Sequence, residues 1–132
     1  MVRVIIAGSR KFNDQDLFDN TIHDILLNYN TEELEIISGC CTGADAMGEE
    51  YARSWDIKLA EFPAYWNKYG KAAVPMRNEQ MARYASESDH GILIAFPIGE
   101  SRGTRNMIKL AKQYGLEVHV IDDNGKFSST KN

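Results

Sequence analysis

The sequence predicts an α/β domain, a three-layer sandwich in which helices cover both faces of a five-stranded, mostly parallel sheet. Short aliphatic runs alternate with stretches of helical periodicity along nearly the whole chain. This alternation is typical of parallel strands joined by right-handed helical crossovers. Several of the aliphatic runs are almost continuous, as expected for strands that are buried on both faces. We expect the strand order 3-2-1-4-5.

Five strands follow from the positions of the apolar runs. Val2–Ala7 and Gly91–Phe96 are the most continuous runs and should be central strands. The other three predicted strands are shorter: Glu35–Ser38, Ile57–Phe62 and Val118–Ile121.

Four helices connect these strands. Asn13 or Asp14 can cap the first, which should run to about Tyr29. The remaining helices are predicted at Ala44–Trp55, Met76–Ser86 and Gly103–Tyr114. Pro75 suits the first turn of the third, and Gly115 is a suitable C-terminal cap for the fourth.

Length and composition indicate one folded domain. The chain of 132 residues has 43% hydrophobic and 26% charged residues, which are ordinary globular values. We assign residues 1–121 to this domain and expect residues 122–132, rich in polar residues and glycine, to form a loose tail.

We expect a cytoplasmic protein with no membrane partner. The N-terminal stretch lacks the long apolar core of a signal peptide, and no apolar run approaches the roughly 20 residues that span a bilayer. The adjacent Cys40 and Cys41 are poorly placed to pair with each other, which suits a reducing compartment.

Three loops rich in small residues follow predicted strands and precede predicted helices. Backbone N–H groups of a first helical turn are unpaired, so such loops can hold an anion at the carboxyl edge of the sheet. The order 3-2-1-4-5 reverses between strands one and four, where ligands of such folds bind. The predicted ligand-binding residues of the three loops are Gly8, Ser9 and Arg10; Ser38, Gly39, Gly43 and Asp45; and Ser101, Arg102, Gly103 and Thr104.

Asp45 has two interpretations. A carboxylate in the first turn of a helix is favoured by the helix dipole, so Asp45 can be a simple cap, which we favour. Alternatively, it binds a ribose hydroxyl or organises the loop.

A cationic rim and an aromatic segment accompany the loops. Seven of the 15 Lys and Arg residues fall in or beside the predicted loops, although the formal net charge is −4. This combination points to a small anionic ligand and makes nucleic acid an unlikely partner.

In the segment 63–75, Trp66 offers a flat apolar face to a base or closes one end of the core, and Lys71 offers a charge for phosphate. Arg77 and Asn78 at the start of the next helix can hold phosphate or ribose.

These motifs, in this order, resemble those of the YspA-like family of the SLOG superfamily of Rossmann-like domains. The resemblance extends to about residue 121, and it rests on the following segments: Gly8-Ser9-Arg10 with Phe12, Ser38-Gly39, Thr42-Gly43-Ala44-Asp45, Phe62-Pro63-Ala64, Trp66, Tyr69-Gly70-Lys71-Ala72-Ala73, Pro75, Arg77-Asn78 and Ser101-Arg102-Gly103-Thr104.

The resemblance implies that the chain binds or senses a nucleotide or a nucleotide-derived ligand. We expect no cofactor and no metal. The superfamily also includes the DNA-processing protein DprA and the Lonely guy phosphoribohydrolases, which cleave the N-glycosidic bond of nucleoside monophosphates. Because those enzymes are dimers, a homodimer is a further expectation.

The alternative function is such an N-glycosidase. In the enzymes, a Pro-Gly-Gly-x-Gly-Thr loop leads into a helix that carries a catalytic glutamate. Here Arg105, Asn106 and Met107 follow Thr104, so that glutamate is missing. Glu79 and Arg77 are the catalytic candidates for this alternative, and Glu100 or Asp45 could also replace the carboxylate.

Overall fold

A single six-stranded sheet forms the centre of the molecule. The structure is a computed structural model that describes residues 1–122 and 127–130. The strands lie in the order β3-β2-β1-β4-β5-β6, and every pair is parallel except β5–β6. Their bounds are β1 Val2–Gly8, β2 Leu34–Ser38, β3 Lys58–Glu61, β4 His90–Phe96, β5 Glu117–Ile121 and β6 Phe127–Thr130.

Helices cover both faces of the sheet, which confirms the predicted three-layer fold and the order of the first five strands. Their bounds are α1 Gln15–Leu26, α2 Ala44–Ser54, α3 Trp66–Tyr69, α4 Ala73–Ser86 and α5 Arg102–Gln113, with 3-10 turns at Thr31–Glu33 and Gly70–Ala72. The Asp14 carboxylate caps α1 by accepting a hydrogen bond from the Leu17 backbone N–H at 3.0 Å. None of the helices in the described ranges is long and apolar enough to cross a membrane.

The tail requires a correction. We expected residues 122–132 to be loose, but residues 127–130 form the strand β6 and pair antiparallel with β5. The edge of β5 leaves backbone donors and acceptors unpaired, and a returning chain can satisfy them. Residues 123–126 and 131–132 lie outside the described residues.

Two apolar layers explain the aliphatic runs of the central strands. Val4 and Ile6 of β1 face the layer that packs under α1 and α2. Ile5 faces the opposite layer, together with Met81 of α4 and Met107 of α5. Successive residues of a central strand therefore enter different cores, so both alternating sets must be apolar.

The carboxyl end of β4 holds the loop after β1 in place. The Phe12 ring stacks on the Phe96 ring at a centroid distance of 4.5 Å, and the Phe18 ring lies 5.6 Å from Phe96. The Ser9 N–H donates to the Phe96 carbonyl at 3.0 Å. The loop after β1 is thus held against the carboxyl end of β4, where the strand order reverses.

Candidate functional site

The loop after β1 and the loop before α2 interlock at the carboxyl edge. The Ala44 N–H donates to the Ser9 carbonyl at 3.4 Å, and the Thr42 hydroxyl donates to the Arg10 carbonyl at 3.3 Å. A Cβ atom placed on Gly43, where φ is +77°, would lie 2.2 Å from the Ser9 carbonyl oxygen. Only glycine therefore fits at this contact.

Gly8 allows an equally close approach at the end of β1. A Cβ atom there would lie 2.7 Å from the Phe96 carbonyl oxygen and 2.8 Å from the Ala44 Cβ. The end of β1, the end of β4 and the start of α2 thus converge on one point. The structure brings the predicted residues of the first two loops together there.

The loop of residues 38–45 uses its own side chains to satisfy its backbone. The Cys40 N–H donates to the Ser38 hydroxyl oxygen at 3.0 Å, and that hydroxyl donates to the Glu49 carboxylate at 2.6 Å. The Cys41 N–H donates to the Asp45 carboxylate at 3.4 Å. Two donors that an external anion would need are therefore already engaged.

Asp45 is buried at this junction and is only 5% exposed. Burial raises the pKa of Asp45 to about 6, although Arg77 and hydrogen bonds from the backbone of Cys41 and Gly8 act in the opposite direction. The carboxyl thus organises the loop, which is one of the interpretations that the sequence left open. It also titrates much closer to neutrality than an ordinary aspartate.

Arg77 and Asn78 lie in α4 and are 6% and 3% exposed. Arg77 donates to the Gly39 carbonyl at 2.5 Å and to the Asn78 side-chain oxygen at 2.9 Å. The Asn78 amide donates to the Gly103 carbonyl and to the Asn106 side-chain oxygen, each at 3.0 Å. The Arg77 Nε and one of its terminal nitrogens, and both polar atoms of the Asn78 side chain, therefore bond to groups of the protein.

The first turn of α5 differs from the loop of residues 38–45 in how its backbone N–H groups are engaged. The Ser101 hydroxyl donates to the Thr104 hydroxyl oxygen at 2.6 Å, and no side chain of the described residues caps the turn. Arg102 is exposed, while Arg105 donates to the Gly99 carbonyl at 3.2 Å. Unpaired first-turn N–H groups with an adjacent exposed arginine favour an anion.

The segment 63–75 contains α3 and a 3-10 turn. Tyr65 and Trp66 are 60% and 51% exposed, so Trp66 does not close the core. The Arg10 guanidinium carbon lies 5.8 Å from the centre of a Trp66 ring, which places this segment beside the loop after β1. Lys71 in the 3-10 turn is exposed.

Glu79 faces the groove between α4 and α5. It accepts a hydrogen bond from the Tyr114 hydroxyl at 2.6 Å and forms an ion pair with Arg83. The Tyr114 hydrogen bond, together with Arg83, lowers the pKa of Glu79. These contacts give the carboxylate a structural role at the end of α5.

One group within the described residues could supply ligands to a metal ion. The Cys40 sulfur and one carboxylate oxygen each from Glu49 and Glu61 lie within 4.8 Å of one another. Burial, with Glu49 and Glu61 nearby, raises the pKa of the Cys40 thiol to about 11, so it is protonated at neutral pH.

The sequence did not reveal the role of Glu49. It binds Ser38 from the second turn of α2, four residues after Asp45. Residues four apart lie on the same helical face, and this spacing is the signal that could have identified it. Two surface grooves lie between α1 and α2 and between α4 and α5.

The sheet order and the interlocked glycine loops define a Rossmann-like α/β domain of the SLOG type. The chain belongs to the YspA, cpYpsA-related SLOG family, whose family model matches residues 2–69. This result confirms the family that the motifs suggested.

A related protein extends the similarity over most of the chain. The Gene 61 protein of Mycobacterium phage D29 is 31% identical over 133 residues, covering 93% of this chain and 98% of that protein. The phage relative agrees with the family assignment.

A solved structure supports the fold. DNA processing protein A (DprA) from Streptococcus pneumoniae matches with a TM-score of 0.68 at 17% identity. The match covers 91% of this chain but 50% of the DprA chain, so the chain spans half of that protein's length.

Gly43 and Gly70 provide a matched test of the interlocked loops. Both have positive φ, at +77° and +54°, but a Cβ on Gly70 would have no atom within 4 Å. We expect Gly70→Ala to lower the free energy of unfolding by about 1 to 2 kcal/mol through backbone strain. Gly43→Ala should cost about 1 to 3 kcal/mol more because it also forces the two loops apart. Urea unfolding measures both, and equal costs would contradict the close contact.

Asp45 should make stability depend on pH. Its pKa of about 6 in the folded protein exceeds the ordinary 3.8, so folding favours the neutral carboxyl. The resulting stabilisation, about 3 kcal/mol, is complete below about pH 4 and is lost as the pH rises through 6. Relative to Asp45→Asn, the wild type should therefore lose stability between pH 4.5 and 7.5.

Urea unfolding across that pH range tests this prediction. Asp24→Asn, which removes one exposed carboxylate, is the control for charge alone. If the difference between the wild type and Asp45→Asn does not change with pH, the raised pKa of Asp45 is refuted.

Proposed function

We propose that this protein binds or senses a nucleotide or a nucleotide-derived ligand at the carboxyl edge of its sheet. The observation that carries this proposal is the uncapped first turn of α5, with the exposed Arg102, at the carboxyl edge of the sheet where the strand order reverses between β1 and β4. The family assignment describes the fold, and this proposal adds the class of ligand.

The phosphate is assigned to the N-terminus of α5. First-turn N–H groups carry partial positive charge, and Arg102 can form a charge-assisted hydrogen bond. The donors of the loop of residues 38–45 serve Asp45 and Ser38 instead. Gly103 and Thr104 therefore contribute through their backbone, and the exposed Arg10 and Lys71 add positive charge.

The base is assigned to the exposed Trp66. Its indole ring lies beside Arg10 and the residue is 51% exposed, so part of the ring is accessible to a planar partner. Stacking of a base on an aromatic ring contributes about 1 to 3 kcal/mol. This arrangement favours a nucleotide over a simple inorganic anion.

We also propose that the protein acts in the cytoplasm on a small ligand. Cys40 and Cys41 are free thiols, as is usual in a reducing compartment. A formal net charge of −4 disfavours a long nucleic acid, although one structural neighbour is named as a DNA processing protein.

Asp45 favours a second candidate function, hydrolysis of the N-glycosidic bond of a nucleoside 5′-monophosphate. A carboxyl with a pKa of about 6 is in the range for general acid–base catalysis near neutral pH. Under this alternative, purified protein releases free adenine from adenosine 5′-monophosphate, and Asp45→Asn stops the release. Absence of adenine by chromatography would eliminate this candidate.

Arg102→Ala tests the proposed binding site. We expect it to weaken binding of the best ligand in a panel of nucleoside mono-, di- and triphosphates by about 1.5 to 3 kcal/mol, because a charge-assisted hydrogen bond is lost. Isothermal titration calorimetry measures the affinity. Arg53→Ala, which removes an exposed arginine from the last turn of α2, should leave it unchanged.

Two outcomes would count against the site. If the folded wild type binds no member of the panel, nucleotide binding is refuted. If Arg102→Ala and Arg53→Ala bind equally well, Arg102 is an ordinary surface charge.

A further inference from the structure

We propose that Arg77 and Asn78 are positioning residues, which hold the ligand-binding loops in place rather than contacting the ligand. This inference rests on the proposed function and assigns these two residues a different role from the one that the sequence motifs suggested. Its basis is the set of hydrogen bonds that both side chains make inside the protein.

Arg77 connects α4 to the chain segments that follow β2 and β3. Its guanidinium donates to the Gly39 carbonyl at 2.5 Å and to the Phe62 carbonyl at 3.5 Å. Gly39 opens the loop of residues 38–45, and Phe62 directly precedes the aromatic segment that contains Trp66. One buried side chain thus holds the start of the loop of residues 38–45 and the residue just before the segment that contains Trp66.

The space around Gly39 shows how closely these groups pack. A Cβ atom on Gly39 would lie 2.6 Å from an Arg77 side-chain nitrogen and 2.8 Å from an Asp45 carboxylate oxygen. The guanidinium and the carboxylate therefore stand close together on one side of the loop. A phosphate that reached Arg77 by this route would have to displace Asp45, which opposes direct contact.

Asn78 makes the corresponding connection to α5. Its amide nitrogen donates to the Gly103 carbonyl and to the Asn106 side chain, and its oxygen accepts from Arg77. Gly103 is the second residue of α5, and a Cβ on it would lie 3.4 Å from a Val74 side-chain carbon of α4. Asn78 therefore fixes the direction of the first-turn N–H groups and the place from which Arg102 extends.

Two adjacent residues of α4 thus connect three segments that come from different parts of the chain. Each bond that they make is to a carbonyl or a side-chain oxygen of the protein. Small displacements of binding groups cost affinity steeply, so supporting residues of this kind matter as much as the groups they hold.

The Asn78→Asp substitution removes the hydrogen bonds from residue 78 to α5 but keeps the hydrogen bond that it accepts from Arg77. Aspartate is nearly isosteric and still accepts from Arg77, but it cannot donate to the Gly103 carbonyl or to Asn106. We expect amide hydrogen exchange to accelerate about tenfold or more at residues 105–108, in the first turns of α5. Amide hydrogen exchange at Cys40 and Cys41 should not change, because the hydrogen bonds from Arg77 to Gly39 and Phe62 remain.

Ile22→Ala is the control for a general loss of stability. Ile22 lies in α1, its side chain is fully buried, and it does not belong to either group of hydrogen bonds. Its substitution should accelerate exchange throughout the core rather than at α5 alone. Asn106→Ala, which removes one acceptor of Asn78, should reproduce the Asn78→Asp pattern in weaker form.

Binding of adenosine 5′-monophosphate supplies the second measurement. If Asn78 is a positioning residue, Asn78→Asp should both weaken nucleotide binding and accelerate amide hydrogen exchange in α5. Weaker binding with unchanged exchange would overturn the inference, because Asn78 would then contact the ligand directly. If the wild type does not bind, the proposed function fails, while exchange alone still decides whether Asn78 holds α5.

Discussion

The close approach of backbone at the carboxyl edge is the constraint on which the rest of the structure depends. At Gly8 and Gly43, a single Cβ atom would clash with a carbonyl oxygen of a neighbouring segment. Without these contacts, the loop after β1 could not lie against both the end of β4 and the start of α2. Everything that we assign to ligand binding is arranged around that junction.

Much of the fold could be predicted from local patterns. Strands β1 and β4 are buried on both faces, and this burial explains why their sequences are continuously aliphatic. Their central place in the sheet follows from that burial. Strand β6 was missed because its sequence, Phe-Ser-Ser-Thr, has little apolar character and pairs only through the edge that β5 provides.

The candidate site was harder to predict, for a physical reason. Glycines and arginines in loops could be recognised from their spacing, but the partners of a polar side chain could not. Nothing near Arg77 in the sequence indicates that its hydrogen bonds go to Gly39 and Phe62, and Glu79 binds Tyr114, 35 residues away. Such partners are set by tertiary packing, which a single sequence does not display.

The Asp45 carboxylate has a consequence for the energetics of binding. Because it engages the backbone of Cys41 within the loop, that loop acquires its shape during folding. A flexible loop would lose conformational entropy when a ligand arrives, and that loss would reduce the affinity. A loop that is already ordered loses little of this entropy, so the ligand that we propose would bind beside it with little rearrangement of the backbone.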